Sequence, residues 1–124
     1  MQLSGCFFLV HPEFIRNPKN STVIERQNVT LQCEVYGIPA PDVRWTKEGG
    51  AVNIADQRIN VSLAGNTSSL TIVNVVQADQ GLYRCVANNS INITVTSYPG
   101  TLTVHCEYLI LSFFLMLNID YLQL

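Results

Sequence analysis

Apolar and polar residues alternate with a period of two along five short segments of the chain. Because successive side chains of a β-strand point to opposite faces, each segment predicts a strand with one inward face. The inward sets are Val29, Leu31, Cys33 and Val35; Val43 and Trp45; Ile59, Val61 and Leu63; Leu70 and Ile72; and Tyr83, Cys85 and Ala87. No stretch before residue 108 keeps a helical periodicity, so the pattern predicts an all-β fold.

Turn-forming residues separate these segments, in the runs GIPAP at 37–41, EGG at 48–50 and AGN at 64–66. The last predicted strand is less regular, because its apolar residues change parity between Val95 and Leu102. Pro99 and Gly100 lie between the two halves. A kink or bulge at this dipeptide would reconcile them.

The length and the charge of the chain limit the number of domains and the kinds of partner that we expect. A chain of 124 residues supports one domain. Its net charge is −2 and 13% of its residues are charged, so it lacks the basic surface that nucleic-acid binding requires. The two histidines, His11 and His105, stand alone, and no second cysteine or histidine lies at metal-ligand spacing. We therefore expect no metal, no cofactor and no nucleic-acid partner.

The inward cysteines belong to an ordered set of motifs. These are Cys33, the run GIPAPDVRW that ends at Trp45, Leu70-x-Ile72, and Asp79-x-Gly81-x-Tyr83-x-Cys85-x-Ala87-x-Asn89. Over roughly residues 12 to 105 this order resembles the I-set immunoglobulin domains of cell-adhesion and matrix proteins, such as contactin-, hemicentin- and fibroblast-growth-factor-receptor-like modules. The resemblance implies a two-sheet Greek-key immunoglobulin sandwich with one inter-sheet disulfide.

The resemblance also implies roles for single residues. Cys33 would bond Cys85, with Trp45 packed on the sulfurs; two buried free thiols are the alternative. Leu70 belongs to the core signature, Arg58 would pair with Asp79, and the Tyr83 hydroxyl would bond the backbone near Asp79. The family commonly has glycine where Arg26 and Asn92 stand, so the turns at these two residues are expected to be atypical.

Six Asn-x-Ser/Thr sequons occur, at Asn20, Asn28, Asn60, Asn66, Asn88 and Asn92. Chance predicts about 1.5 in a chain of this composition, so six is an excess, although β-rich surfaces favour these residue types in any case. N-glycans are carried on secreted surfaces, where disulfides also form. The sequons therefore predict an extracellular or cell-surface glycoprotein.

The predicted strand positions suggest a surface that is left bare. The sequons fall mostly on one sheet and on the turns, which leaves the middle of the opposite sheet free. The outward residues there are Arg44, Thr46, Leu82, Arg84 and Val86. Apolar groups next to arginines are typical of interface centres, so these five form a candidate interaction patch. The alternative is that they are ordinary solvent-facing residues.

Both ends of the chain contain an apolar run that lies outside the predicted domain. Residues 1–11 form an N-terminal apolar segment, which is either a poor signal peptide or a linker. Residues 12–105 form the predicted domain, and residues 106–124 a hydrophobic C-terminal tail. The apolar run from Tyr108 to Leu117 is shorter than the ~20 residues of a transmembrane helix. Weak membrane association, a processed anchor signal and a tail left by truncation or splicing remain open.

No arrangement of residues for catalysis is found in the sequence, so we expect no enzyme. The first hypothesis is an extracellular recognition or cell-adhesion module within a longer multidomain protein, which contacts a protein partner in a homophilic or heterophilic way. A glycosylated structural spacer is the second hypothesis. An intracellular muscle-type scaffold domain is the third, and the sequons argue against it.

Overall fold

Ten strands and one short helical turn make up the described part of the chain. The structure is a computed structural model, and it describes residues 9–106 and residue 116. The strands are β1 (Val10–Arg16), β2 (Ser21–Ile24), β3 (Val29–Ile38), β4 (Asp42–Lys47), β5 (Gly50–Ala51), β6 (Ile59–Ala64), β7 (Thr67–Ile72), β8 (Gly81–Asn88), β9 (Thr94–Thr96) and β10 (Gly100–His105). A single 3-10 turn, Gln77–Asp79, precedes β8.

The strands form two sheets. The first sheet has the order β1-β3-β7-β6, and the second has the order β2-β10-β8-β4-β5 with β9 paired to β8. This arrangement confirms the predicted all-β sandwich. β1 pairs with β3 in the first sheet, whereas β2 pairs in parallel with β10 in the second, so the chain crosses between the sheets after Arg16. The expected kink is also present, because β9 ends at Thr96 and β10 begins at Gly100.

The core lies between the sheets and is centred on a disulfide. Cys33 of β3 and Cys85 of β8 are bonded with 6.7 Å between their Cα atoms, which confirms the predicted bridge. Trp45 is buried in the same apolar cluster, and its indole Nε1 donates a hydrogen bond to Ser68 Oγ at 3.0 Å. Closing a loop of 52 residues contributes about 4 kcal/mol on the chain-entropy model.

One predicted core position is wrong. Leu63 was expected to face inward with Ile59 and Val61, but its exposed fraction is 56%, and the other two are only half-buried. The reason is the position of β6 at the edge of the first sheet, where it has a neighbour on one side only among the described strands. An inward direction at an edge does not ensure that the opposite sheet covers the side chain.

The two turns with unusual residues keep a left-handed backbone. Arg26 has φ 73° and Asn92 has φ 65°, the region that favours glycine. The Gln27 N–H donates to the Ile24 carbonyl at 3.1 Å across the first turn, and the Asn92 N–H donates to the Asn89 carbonyl at 2.9 Å across the second. Both turns are therefore closed by backbone bonds in spite of the non-glycine residues.

Parts of the predicted ends lie outside the described residues. These are residues 1–8 of the N-terminal segment and the tail after Cys106, apart from Met116, so the membrane-association hypothesis for Tyr108 to Leu117 falls there. Within the described part, no helix has the length and apolar character needed to cross a bilayer. β1 begins at Val10, two residues before the predicted domain boundary, and β10 ends at His105.

Candidate functional site

The corner before β8 joins an arginine to a buried carboxylate. Arg58 Nη1 donates to Asp79 Oδ2 at 2.9 Å and Arg58 Nη2 donates to Asp79 Oδ1 at 3.2 Å, so the pair is bidentate. The Asp79 side chain is 9% exposed and that of Arg58 is 27% exposed. Asp79 Oδ2 also accepts a bond from the Val76 N–H at 2.8 Å. The corner therefore ties the start of β6 to the turn that precedes β8.

The electrostatics of the corner follow from these bonds. Burial raises the pKa of Asp79, but the hydrogen bonds from Arg58 and from the Val76 N–H outweigh it, so the net pKa lies below its usual range. The hydrogen bond with Asp79 raises the pKa of Arg58. The pKa of Asp56 is also lowered, first of all because the Arg58 N–H donates to its Oδ1 at 2.9 Å.

Tyr83 completes the corner. Its hydroxyl donates to the Asp79 carbonyl, and Lys47 Nζ donates to the Ala78 carbonyl nearby. Burial and the neighbouring Asp79 charge raise the pKa of Tyr83. These shifts keep Asp56 and Asp79 ionised, Arg58 charged and Tyr83 neutral at pH 7. This is a stabilising network, and it has no group positioned for proton transfer.

The outer surface of the second sheet carries four of the five predicted patch residues in accessible positions. Arg44 is exposed, and Thr46, Leu82 and Arg84 are half-buried. Thr46 of β4 pairs directly with Arg84 of β8, which places Arg44 diagonally from Arg84 at about 7–8 Å. Within residues 9–106 neither arginine side chain has an ion pair or hydrogen bond. We call Arg44, Thr46, Leu82 and Arg84 the arginine face.

Val86 does not belong to this face. We expected it to be exposed, but only 8% of its surface is exposed. The physical reason is its position in the sheet, since Arg44 of β4 pairs with it on one side and Thr96 of β9 on the other. Two cross-strand neighbours on the same surface exclude water from a short side chain.

The sequon asparagines differ in accessibility. Asn20, Asn28, Asn60, Asn66 and Asn92 are exposed, and Asn88 is half-buried. Asn88 Nδ2, the atom to which a glycan would attach, donates to Thr94 Oγ1 at 2.7 Å. Asn20 and Asn28 use their Oδ1 atoms, which accept the N–H groups of Thr101 and Asn74. The fold therefore leaves five of the six acceptors accessible.

The sequence analysis assigned no structural role to two buried polar residues, Asn89 and Ser97. Asn89 is 4% exposed, and its Nδ2 donates to the carbonyls of Val10 at 3.2 Å and Pro39 at 3.5 Å. Ser97 is 5% exposed, and its Oγ accepts the Cys85 N–H at 2.9 Å. The Asn89 contacts span up to 79 positions, so the local alternation of residues does not indicate them.

A small polar cleft offers no chemistry. It has a volume of about 250 Å³ and lies at the crossover between β1 and β2, where Arg16, Lys19, Thr30 and Gln32 contribute to its lining. Arg16 is already bonded to Glu34 at 2.9 Å. In the described ranges, no cluster of three histidine, cysteine or acidic residues could hold a metal ion. The arginine face is therefore the stronger candidate for recognition.

Comparison with known proteins places the chain among modular proteins. Residues 12–103 match the family described as the immunoglobulin I-set domain. The muscle M-line assembly protein unc-89 of Caenorhabditis elegans is 39% identical over 93 residues, which are 75% of this chain and 1% of that protein. The netrin receptor DCC of Homo sapiens is 37% identical over 89 residues, which are 72% of this chain and 6% of the receptor.

A solved structure agrees with this match. The crystal structure of the titin M3 domain has a TM-score of 0.71 at 28% identity, and the match covers 77% of this chain and 98% of that one. The chain covers only a small fraction of the length of unc-89 and of the netrin receptor DCC. On the matched range, the ordered motifs and the two-sheet sandwich, the chain belongs to the immunoglobulin I-set family.

Proposed function

We propose that this chain is an extracellular, glycosylated recognition module whose arginine face docks a protein partner. Domains of this family are generally non-catalytic binding modules that mediate protein–protein contacts. The observation that carries the proposal is the pair Arg44 and Arg84, which are diagonal neighbours on two adjacent strands and have no partners among the described residues. Arginine is enriched at the centres of interfaces because its planar fork binds carboxylates in a bidentate way.

The sequons and the disulfide support the extracellular part of the proposal. Five exposed acceptors are available for glycans, and the Cys33–Cys85 bond is favoured in oxidising compartments. None of these five acceptors lies on β4 or β8, the strands that carry the arginine face. A glycosylated chain would thus keep this surface accessible to a partner.

Intracellular scaffolding is a second candidate function. It is favoured by the likeness to unc-89, whose name describes a muscle M-line assembly protein, and to titin M3. Glycan occupancy distinguishes the two candidates. The full chain would be expressed behind a known signal peptide, and each sequon would be mapped by mass spectrometry. Occupied sequons on secreted, folded chain support the extracellular module. Unmodified chain retained in the cell would favour the scaffold instead.

The arginine face is tested by reversing single charges. The full chain, made tetrameric, would be applied to cultured cells and to beads coated with the same chain. Arg84→Glu and Arg44→Glu should each lower the binding at least tenfold and leave secretion unchanged. Lys19→Glu is the matched control, because it makes the same change in charge at an exposed residue of the crossover. Equal binding by all three variants would refute this surface.

A further inference from the structure

The edge strand β6 lacks the features that usually keep a sheet edge from pairing with another chain. Proteins protect such edges by short strands, charges, prolines or bulges. β6 is six residues long, INVSLA, without a charge or a proline. Its register with β7 runs without a shift from Ile59 to Ala64. Leu63 on this strand is 56% exposed.

The other edges of the described sheets are each protected. β1 contains Pro12, Glu13 and Arg16 and has two register irregularities. The strands β2, β5 and β9 are short, with four, two and three residues. The charged residue just before β6 is Arg58, and its guanidinium is held by Asp79 and Asp56 instead of guarding the edge.

The open side of β6 presents backbone groups that have no partner among residues 9–106. The Val73 N–H donates to the Arg58 carbonyl at 2.9 Å, so the even-numbered residues of β6 direct their backbone groups towards β7. The odd-numbered residues therefore direct theirs to the open side. Val61 and Leu63 offer an N–H and a carbonyl each. Ile59 offers only its carbonyl, because its N–H is bonded to Asp56.

We infer that β6 is a weak self-association edge, at which a second copy of this chain pairs in antiparallel fashion, and that a glycan on Asn60 prevents this pairing. In a twofold arrangement centred on Val61, each Val61 bonds its equivalent and each Leu63 N–H meets the Ile59 carbonyl of the other copy. The exposed Leu63 then packs beside Ile59. Since none of the six residues is charged, two identical edges meet without repulsion.

The small area makes the pairing weak and easy to prevent. A strip of six residues is about 20 Å long, and it buries far less than the ~1,000 Å² that a stable interface needs. In the same register Asn60 lies opposite Ser62 of the other copy, and the two Asn60 residues are diagonal neighbours at about 7–8 Å. Branched glycans on both would compete for this space. The glycan thus supplies the protection that the strand itself lacks.

The test is the sedimentation velocity of the full chain, secreted with its glycans and measured from about 10 µM to about 1 mM, which spans a weak dissociation constant. Asn60→Gln should shift from monomer towards dimer as the concentration rises, whereas the natural chain and Asn28→Gln remain monomeric. Asn28 is the control because it is an exposed sequon just before β3, away from the edge strand β6. Glycans are removed by substitution because enzymatic release converts Asn60 to a charged aspartate, which would itself protect the edge.

Adding Leu63→Lys to Asn60→Gln should restore the monomer, since a lysine on the edge opposes pairing. Both residues are exposed, so the fold is retained, and circular dichroism checks this. Association through the C-terminal tail would not respond to Leu63→Lys. An Asn60→Gln chain that stays monomeric at 1 mM, or dimers that persist with Leu63→Lys, would overturn the inference.

The role of the Asn60 glycan rests on the proposed extracellular function, whereas the pairing of two β6 strands does not. Measurements on unglycosylated chain therefore distinguish a failure of the glycan role from a failure of the pairing. If mass spectrometry finds Asn60 unmodified but unglycosylated chain dimerises and Leu63→Lys abolishes the dimer, the edge stands and the control by a glycan is wrong. If Asn60 is modified and Asn60→Gln remains monomeric, the edge is wrong and the recognition module is unaffected.

Discussion

Replacement of Arg58 by methionine is the most direct test of the corner. The substitution keeps an apolar stem of similar length but removes four hydrogen bonds, to Asp79, Asp56 and the Asn74 carbonyl. Breaking a buried ion pair from one side costs about 3–5 kcal/mol, because the remaining charge has no partner. Since Arg58 is 27% exposed, water offsets part of this loss. We expect the free energy of unfolding to fall by roughly 2–3 kcal/mol.

The pH dependence gives the prediction a second readout. The pKa of Asp79 is lowered in the folded state, so the pair stabilises the fold above the ordinary aspartate pKa. This contribution is lost as the pH falls through the lowered pKa. In Arg58→Met, burial without a partner should raise the Asp79 pKa instead. The difference between the two proteins should therefore be largest near neutral pH. It should shrink as the pH falls, first through the raised Asp79 pKa of the variant and then through the lowered Asp79 pKa of the natural chain.

Urea unfolding followed by the fluorescence of Trp45, the single buried tryptophan, measures these free energies. Arg44→Met is the matched control, because that exposed arginine has no partner within the described residues and should change stability by less than about 0.5 kcal/mol. Asp79→Asn and the double variant complete a double-mutant cycle, with an expected coupling of about 1–2 kcal/mol. A loss in Arg58→Met no greater than in Arg44→Met, or one that does not vary with pH, would refute the reasoning.

Two further predictions concern the Tyr83 hydroxyl and the close packing at Gly100. Tyr83→Phe removes the bond to the Asp79 carbonyl and should cost about 1 kcal/mol in urea unfolding. Because the folded pKa of Tyr83 is raised, the natural chain should also lose stability above about pH 10, and the variant should lose less; identical alkaline profiles would contradict this. Gly100→Ala should destabilise by roughly 1–3 kcal/mol, since its Cβ would lie 2.8 Å from Pro18 Cβ. Gly50→Ala is the control, where the nearest atom is 3.8 Å away, and similar melting temperatures for both would count against the packing argument.

The central strands could be predicted because each is covered on one face. The alternation at Leu31, Cys33 and Val35 marks a strand flanked by two neighbours and faced by the other sheet, so parity alone decides burial. The pairing of Arg58 with Asp79, which are 21 positions apart, has no periodic signal and came from the resemblance alone.

The alternation of apolar and polar residues predicted burial wrongly at two positions, because the position of a strand within its sheet decides burial there. Leu63 has the inward parity but lies on an edge strand, and Val86 has the outward parity but has a cross-strand neighbour on each side. Neither strand order nor the neighbours of a residue can be derived from local alternation. The same limit applies to Asn89, whose partners Val10 and Pro39 approach only after both sheets have formed.

The bridge between Cys33 and Cys85 also limits how far the molecule can be stretched. Tension applied at the two ends passes through the sulfur atoms and bypasses the 52 residues of chain between them. At about 3.4 Å per residue, the bond withholds roughly 180 Å of contour length. An oxidised chain under load can therefore lengthen only through the residues before Cys33 and those after Cys85, and a reductant would release the remaining length. The redox state of the Cys33–Cys85 bond therefore determines how far the domain can be extended under load.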